Sequence, residues 1–140
     1  MNIRQVSLCV LKKDSLILVE EIYDSIEGSI YYRPIGGTIE YGERSIDTVK
    51  REVQEEIGAT ITDLKLLGII ENIFTWHNQI GHEIDFIYEA RFEDVSLYNK
   101  EIIQGLEGNK KMKVVWVSIE TLKCQPERPL VPNGLLDMLL

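Results

Sequence analysis

The stretch that decides how this chain folds reads Gly37-Thr38-Ile39-Glu40-Tyr41-Gly42-Glu43, seven residues from Arg44 to Lys50, then Arg51-Glu52-Val53-Gln54-Glu55-Glu56-Ile57-Gly58-Ala59. Its second half is patterned as a helix. From Ser45 to Ile57 the apolar residues Ile46, Val49, Val53 and Ile57 recur at spacings of three, four and four. At about 100° per residue they form one narrow stripe. Ser45 is placed as an N-cap, Asp47 puts negative charge in the first turn, and Gly58 supplies a left-handed stop. On this helix Glu52, Glu55 and Glu56 stand at i, i+3 and i+4, so their side chains share a face beside the apolar stripe.

Like charges about 5 Å apart repel by roughly 3 kcal/mol at an effective dielectric near 20, and by about 0.8 kcal/mol in water. A cluster bordering the core therefore calls for a cation, and hard divalent ions favour carboxylate and carbonyl oxygens. The competing reading is an ordinary solvated acidic face, softened by Arg51 pairing with Glu55 at i+4. The segment in front of the helix tips the balance. Arg33-Pro34-Ile35-Gly36-Gly37 reads as a strand running into a tight glycine loop, whose backbone groups are open to a phosphate or a metal.

Taken together the segment resembles the Nudix box: Gly, five residues, Glu, seven residues, Arg-Glu, an aliphatic, any residue, Glu-Glu, any residue, Gly, an aliphatic. Gly37, Glu43, Arg51, Glu52, Val53, Glu55, Glu56 and Gly58 match it in type and position, across 23 of the 140 residues. Ala59 departs from it, being smaller than the usual Val, Leu or Ile, and bears on packing rather than chemistry.

The resemblance implies a divalent-metal-dependent pyrophosphohydrolase that cleaves a nucleoside diphosphate linked to another moiety. Magnesium or manganese would be the cofactor, with Gly37 (through its carbonyl), Glu52, Glu55 and Glu56 as ligands. It also implies catalytic roles for Glu52, Glu55 and Glu56, with Arg51 orienting a ligand glutamate. Glu43 would support the metal site or the junction of loop and helix. For the general base, a box glutamate competes with a distal one; Glu107 in Gly105-Leu106-Glu107-Gly108 is one candidate and Glu83 another. Arg33, Trp76 and Glu107 are the candidate substrate contacts. Phe74-Thr75-Trp76-His77-Asn78-Gln79-Ile80-Gly81-His82 concentrates an indole and both histidines. A base could stack on Trp76, although core or dimer packing of Phe74 and Trp76 is the favoured reading.

Markers of individual Nudix subfamilies are missing. Thr75 stands where a proline would indicate ADP-ribose, and Trp76 and His77 stand where a tyrosine would indicate dinucleoside polyphosphates. Nucleoside triphosphates and nucleotide sugars stay open. A Nudix-fold nucleotide sensor without hydrolytic activity is the alternative, disfavoured by the intact box and by the lack of an added binding domain.

Bulk properties narrow the class. At 140 residues the chain reads as one domain, 1–140, large enough for a sizeable core. Fifteen Lys and Arg against 23 Asp and Glu give a formal charge of −8. Such a surface argues against nucleic-acid polymers and anionic membranes, leaving a small nucleotide derivative as the expected partner. Cys9 and Cys124 imply no disulfide framework, and no apolar run approaches a membrane span, which makes the cytoplasm the expected location. The leucines near the end (Leu135, Leu136, Leu139, Leu140) either cap the core or form a seam, so monomer and homodimer are both open.

The remaining pattern intermixes strands and helices. Strands are predicted at Gln5 to Leu11, Leu16 to Val19, around Tyr31-Tyr32, Ile61 to Phe74 with a break near Gly68, Glu83 to Phe92, and Lys113 to Val117. Ile22 to Ser29 reads as a polar loop, and Glu93 to Lys111 as a long loop or partly helical insertion. Ser118 caps a short helix through Leu122, and Asn133 to Leu140 forms a closing helix. The sum is an α/β (α+β) layered sandwich, in agreement with the mixed sheet between helices that the resemblance implies.

Overall fold

A computed structural model describes residues 1–140. In chain order the elements are β1 (Arg4–Lys13), β2 (Leu16–Asp24), β3 (Ser29–Arg33), β4 (Ile35–Thr38), α1 (Ser45–Ile57), β5 (Ile61–Trp76) and β6 (Gln79–Phe92). A 3₁₀ turn at Val95–Asn99 follows, then β7 (Ile102–Glu107), β8 (Lys110–Ser118), α2 (Ile119–Cys124) and α3 (Leu135–Leu139). The sheet runs β5-β6-β1-β2-β8-β7, with β3 paired to β2 and β4 to β1. It is mixed: β1 lies parallel to β6 and antiparallel to β4 and β2.

Burial follows from the sequence period. In β1, Val6, Leu8 and Val10 point to one face and Cys9 and Leu11 to the other, all essentially inaccessible. The second face packs on the apolar stripe of α1, where Val49 and Val53 are fully buried beside Leu18, Ile35, Phe92 and Val114. Burying each valine contributes roughly 1.5–3 kcal/mol. The first face is closed by Leu122 of α2 and Leu135 of α3, on Val6, Leu8, Val10, Ile17, Val19 and Ile87. The architecture is thus a mixed sheet between helices, with one core on each side. Leu135 is wholly buried, so α3 caps the core. Ala59 is buried in the α1-side core, as its box position requires.

Several sequence expectations need correction. The polar loop after Ile22 starts later, because β2 continues to Asp24 in register with β3. The segment after Glu93 is a β-hairpin, β7 with β8, preceded by the 3₁₀ turn. Gly105 hid that strand by breaking the alternation, yet it is needed there: a Cβ would come within 3.2 Å of the Glu56 carbonyl of α1. The closing helix is shorter than expected. Ser45 is the first helical residue and not the cap; its hydroxyl bonds the Tyr88 phenol at 2.7 Å instead. The β5 break is present as register shifts between Thr62 and Lys65 and between Leu66 and Gly68.

Candidate active site

The glycine pair lies within β4 and not in a loop. Both glycines serve close approach. A Cβ on Gly36 would collide with the Ser7 carbonyl of the paired strand, and one on Gly37 would lie 2.5 Å from the Glu52 carboxyl carbon. The backbone of β4 can therefore lie directly against the glutamate face of α1.

Arg51 is the cation that this face encloses. Its Nε and Nη2 donate to the two oxygens of Glu43 at 2.8 and 2.9 Å, a bidentate grip. Its Nη1 donates to Glu52 at 2.9 Å and to Glu55 at 3.2 Å, and Nη2 also reaches the Thr38 carbonyl at 3.3 Å. Thr48 donates to Glu43 at 2.6 Å. These bonds from Arg51 and Thr48 hold the Glu43 carboxyl down at about 2, and the carboxylates raise Arg51 further. Glu43 is thus the anchor of Arg51 at the junction of loop and helix.

Glu56 stands apart from that network. It is 6% exposed, and its buried Oε2 has no hydrogen-bond partner. Burial first, then the charges of Glu52 and Glu107, push its carboxyl up to about 9. Arg51 is bonded to Glu43, Glu52 and Glu55 but not to Glu56, which is left without a cationic partner in contact.

The residues predicted from sequence come together around a cavity of about 510 Å³. Arg33, Gly37, Glu52, Glu55, Glu56 and Glu107 line it, with Leu106 as the single hydrophobic contributor. Its oxygen-only donor set, with one buried carboxylate oxygen unpartnered, fits a hard divalent cation. As the side chains stand no three of them converge as a ready cage, because Arg51 holds Glu52 and Glu55.

Two expectations from sequence change. Glu83 does not line this cavity; it lines a second one and accepts from Arg4 Nη1 at 3.1 Å. Trp76 belongs neither to the core nor to the first cavity; half exposed, it lines a second cavity of about 460 Å³ with Tyr31, Phe74, Asn72 and Asn133. Its indole N–H donates to Asp24 at 3.0 Å and its ring stacks on His77, which also bonds Asp24. Arg4 and Arg33 line both cavities.

Sequence reasoning missed Arg4, Glu20, Asp24, Asn72 and Asn133. Arg4 reaches the site through parallel pairing of β1 with β6, which carries no local signature. Glu20 pairs with Arg33 across β2 and β3, and its carboxyl is raised by burial and then by Glu107.

Arg51→Lys keeps the charge but loses the fork that grips Glu43, Glu52 and Glu55 together. A fall of about 10–100-fold in divalent-cation affinity is expected. Calorimetric titration of manganese into wild type and variant checks this; equal affinities would remove Arg51 from the role of organiser.

The NUDIX domain family matches residues 1–134. Solved structures of the same architecture include a NUDIX hydrolase from Nitrosomonas europaea, at 19% identity and TM-score 0.69, covering 99% of this chain and 86% of that one. A MutT NUDIX hydrolase from Burkholderia pseudomallei aligns at 19% identity and TM-score 0.71, over 99% and 98% of the two chains. The MutT protein from Bacillus halodurans aligns at 21% identity and TM-score 0.64, over 99% and 81%. Among curated proteins no relative matches the chain. No helix is long and apolar enough to cross a membrane.

Proposed function

The chain belongs to the Nudix family and is a hydrolase, and from that premise we propose that it is a divalent-metal-dependent pyrophosphohydrolase cleaving a nucleoside diphosphate linked to another moiety. The reading takes residues 1–140 as one catalytic domain. The observation that carries it is the pair of joined cavities. One is lined by carboxylates and almost devoid of apolar contacts; the other is walled by Tyr31, Phe74 and Trp76; and Arg4 and Arg33 stand between them. A substrate with a flat aromatic base at one end and a pyrophosphate at the other matches that division.

Nudix hydrolases generally use divalent metal ions, and Glu52, Glu55 and Glu56 with the Gly37 carbonyl are the groups that would hold one here. When bound, such an ion offsets phosphoryl charge and makes its water nucleophilic near neutral pH. The chain's own residues do the rest. Arg51 keeps Glu52 and Glu55 oriented toward the cavity, and Glu43 keeps Arg51 in place. Arg33, which is in no ion pair, is free to meet a phosphate. Glu107, at the tip of the β7–β8 hairpin, is the residue outside the box best placed to accept a proton. Trp76 offers the base a ring whose orientation is fixed by Asp24 and His77. Free Cys9 and Cys124 and the small-molecule chemistry support a cytoplasmic location.

A panel of nucleoside triphosphates, oxidised deoxynucleoside triphosphates, nucleotide sugars and dinucleoside polyphosphates, each with magnesium and with manganese, tests this. At least one should be cleaved at its anhydride bond, with loss of turnover on chelation and in Glu55→Gln. A panel without turnover sensitive to either would sink the proposal. The non-hydrolytic sensor reading finds no support in the site, whose box carboxylates are all present.

A further inference from the structure

Asp85 is the most deeply buried acidic residue in the molecule. It is 0% exposed, and neither carboxyl oxygen has a partner. It sits on β6 between Val6 of β1 and Ile70 of β5, with fully buried Ile87 next on the same face. Burial without a partner disfavours the ionised carboxylate, so the group keeps its proton well above the usual carboxylate range. Two residues away on that face stands Glu83, whose Oε2 accepts from Arg4 Nη1 at 3.1 Å. Arg4 Nη2 in turn donates to the Thr38 hydroxyl at 2.8 Å, next to Gly37.

Glu83, Arg4 and Thr38 thus form a chain across β6, β1 and β4, and Asp85 lies behind it, two residues from Glu83 on the same face of β6. With Asp85 protonated and Glu83 ionised, the two carboxyls carry a single negative charge, which matches the single charge of Arg4. Arg4 itself is half exposed and lines both cavities.

We propose that Arg4 binds the substrate at the seam of the two cavities, and that Glu83 and the buried carboxyl of Asp85 are the residues that position it there. This rests on the reading of the joined cavities as one nucleotide site. It adds a function for a carboxyl pair lying outside the box, and for a residue at the start of β1.

Burial first, and then the neighbouring Glu83, raise the Asp85 carboxyl to about 7, while Arg33 and Arg4 oppose the rise. The charged groups facing it are therefore Glu83 on its own strand, Arg4 on β1 and Arg33 on β3; its β5 neighbour Ile70 is apolar. Above that pH the pair gains a second negative charge, which draws Arg4 away from an incoming phosphate and adds repulsion. Affinity should fall on the alkaline side.

The test is calorimetric titration of the four ribonucleoside diphosphates (ADP, GDP, CDP and UDP) into the protein from pH 6 to 9, with KM and kcat on whichever compound turns over. Arg4→Gln should weaken binding and raise KM by about tenfold, with kcat altered much less. Glu83→Gln should also weaken binding, and the double variant should be no worse than Arg4→Gln alone, because the two act through one contact. Asp85→Asn should remove the loss of affinity that sets in near pH 7, distinct from any Glu56 step near pH 9, with a thermal melt to establish that it folds. Unchanged affinity in Arg4→Gln, additive effects of the two substitutions, or a loss near pH 7 that persists in Asp85→Asn would each overturn the proposal. A panel in which nothing is hydrolysed bears on the pyrophosphohydrolase reading instead, since the binding arm does not require turnover.

Discussion

Glu56→Gln is expected to lower turnover about a thousandfold, roughly 4 kcal/mol of barrier, while making the metal-free protein more stable. The two effects share one cause. Glu56 lines the cavity and carries a buried, unpartnered oxygen, which suits a cation and is a liability without one. In the metal-free chain its carboxyl is raised from 4.5 to about 9, chiefly by burial. Across that window the folded state holds a proton that the unfolded state has released. Unfolding then releases a proton, so the stability of the metal-free protein falls as the pH rises. Glutamine cannot ionise, and the slope should flatten.

Thermal melts of both proteins from pH 5 to 9, with chelator and with magnesium, provide the check. The wild type should gain stability on adding magnesium at the alkaline end, and Glu56→Gln should gain little. An equal magnesium shift in both would remove Glu56 from the ligand set, whatever happened to turnover.

The largest loss of stability from a single added methyl is expected at Gly36. A Cβ there would run into the Ser7 carbonyl and lie 2.8 Å from the Leu8 Cα, both on the strand with which β4 is paired. Neither can yield as a side-chain tip can, so β4 must part from β1. Gly36→Ala should cost about 4 kcal/mol, among the largest values seen for point substitutions. Gly28→Ala is the control: its φ is +67° but nothing lies within 4 Å of the new atom, which limits the cost to about 1–2 kcal/mol. Urea midpoints measure both, and equal losses would show that the approach of β4 to β1 is not what demands glycine.

Much of the site was legible because it is local. The stripe Ile46, Val49, Val53 and Ile57 announces α1 within four turns, and the i, i+4 relation already pairs Arg51 with Glu55. What local spacing could not show is that Glu43 holds the fork of Arg51 bidentately, since that depends on the turn ahead of the helix. Ser45 looked like a cap because capping preferences assume a free hydroxyl; here Tyr88, from a strand far along the chain, takes it. The β7 strand was hidden because Gly105 answers to the backbone of α1 and not to the period of its own strand. Arg4, Asn72 and Asp85 were beyond reach for a related reason. They meet only once a parallel pairing has joined β1 to β6, and neither alternation nor charge reports on partners so distant in sequence.

Asp24 shows what it means for a residue to border a binding cavity with its hydrogen-bonding capacity spent. It accepts from the amides of Ile26 and Glu27, from the Trp76 indole, and meets His77 as well. Although it carries negative charge beside the second cavity, it has little left to offer a ligand. It is a rivet, fixing the far end of a long hairpin to the end of β2. If a base occupies that space, its selectivity falls to other polar groups of the lining, among them the amides of Asn72 and Asn133 and the Tyr31 hydroxyl.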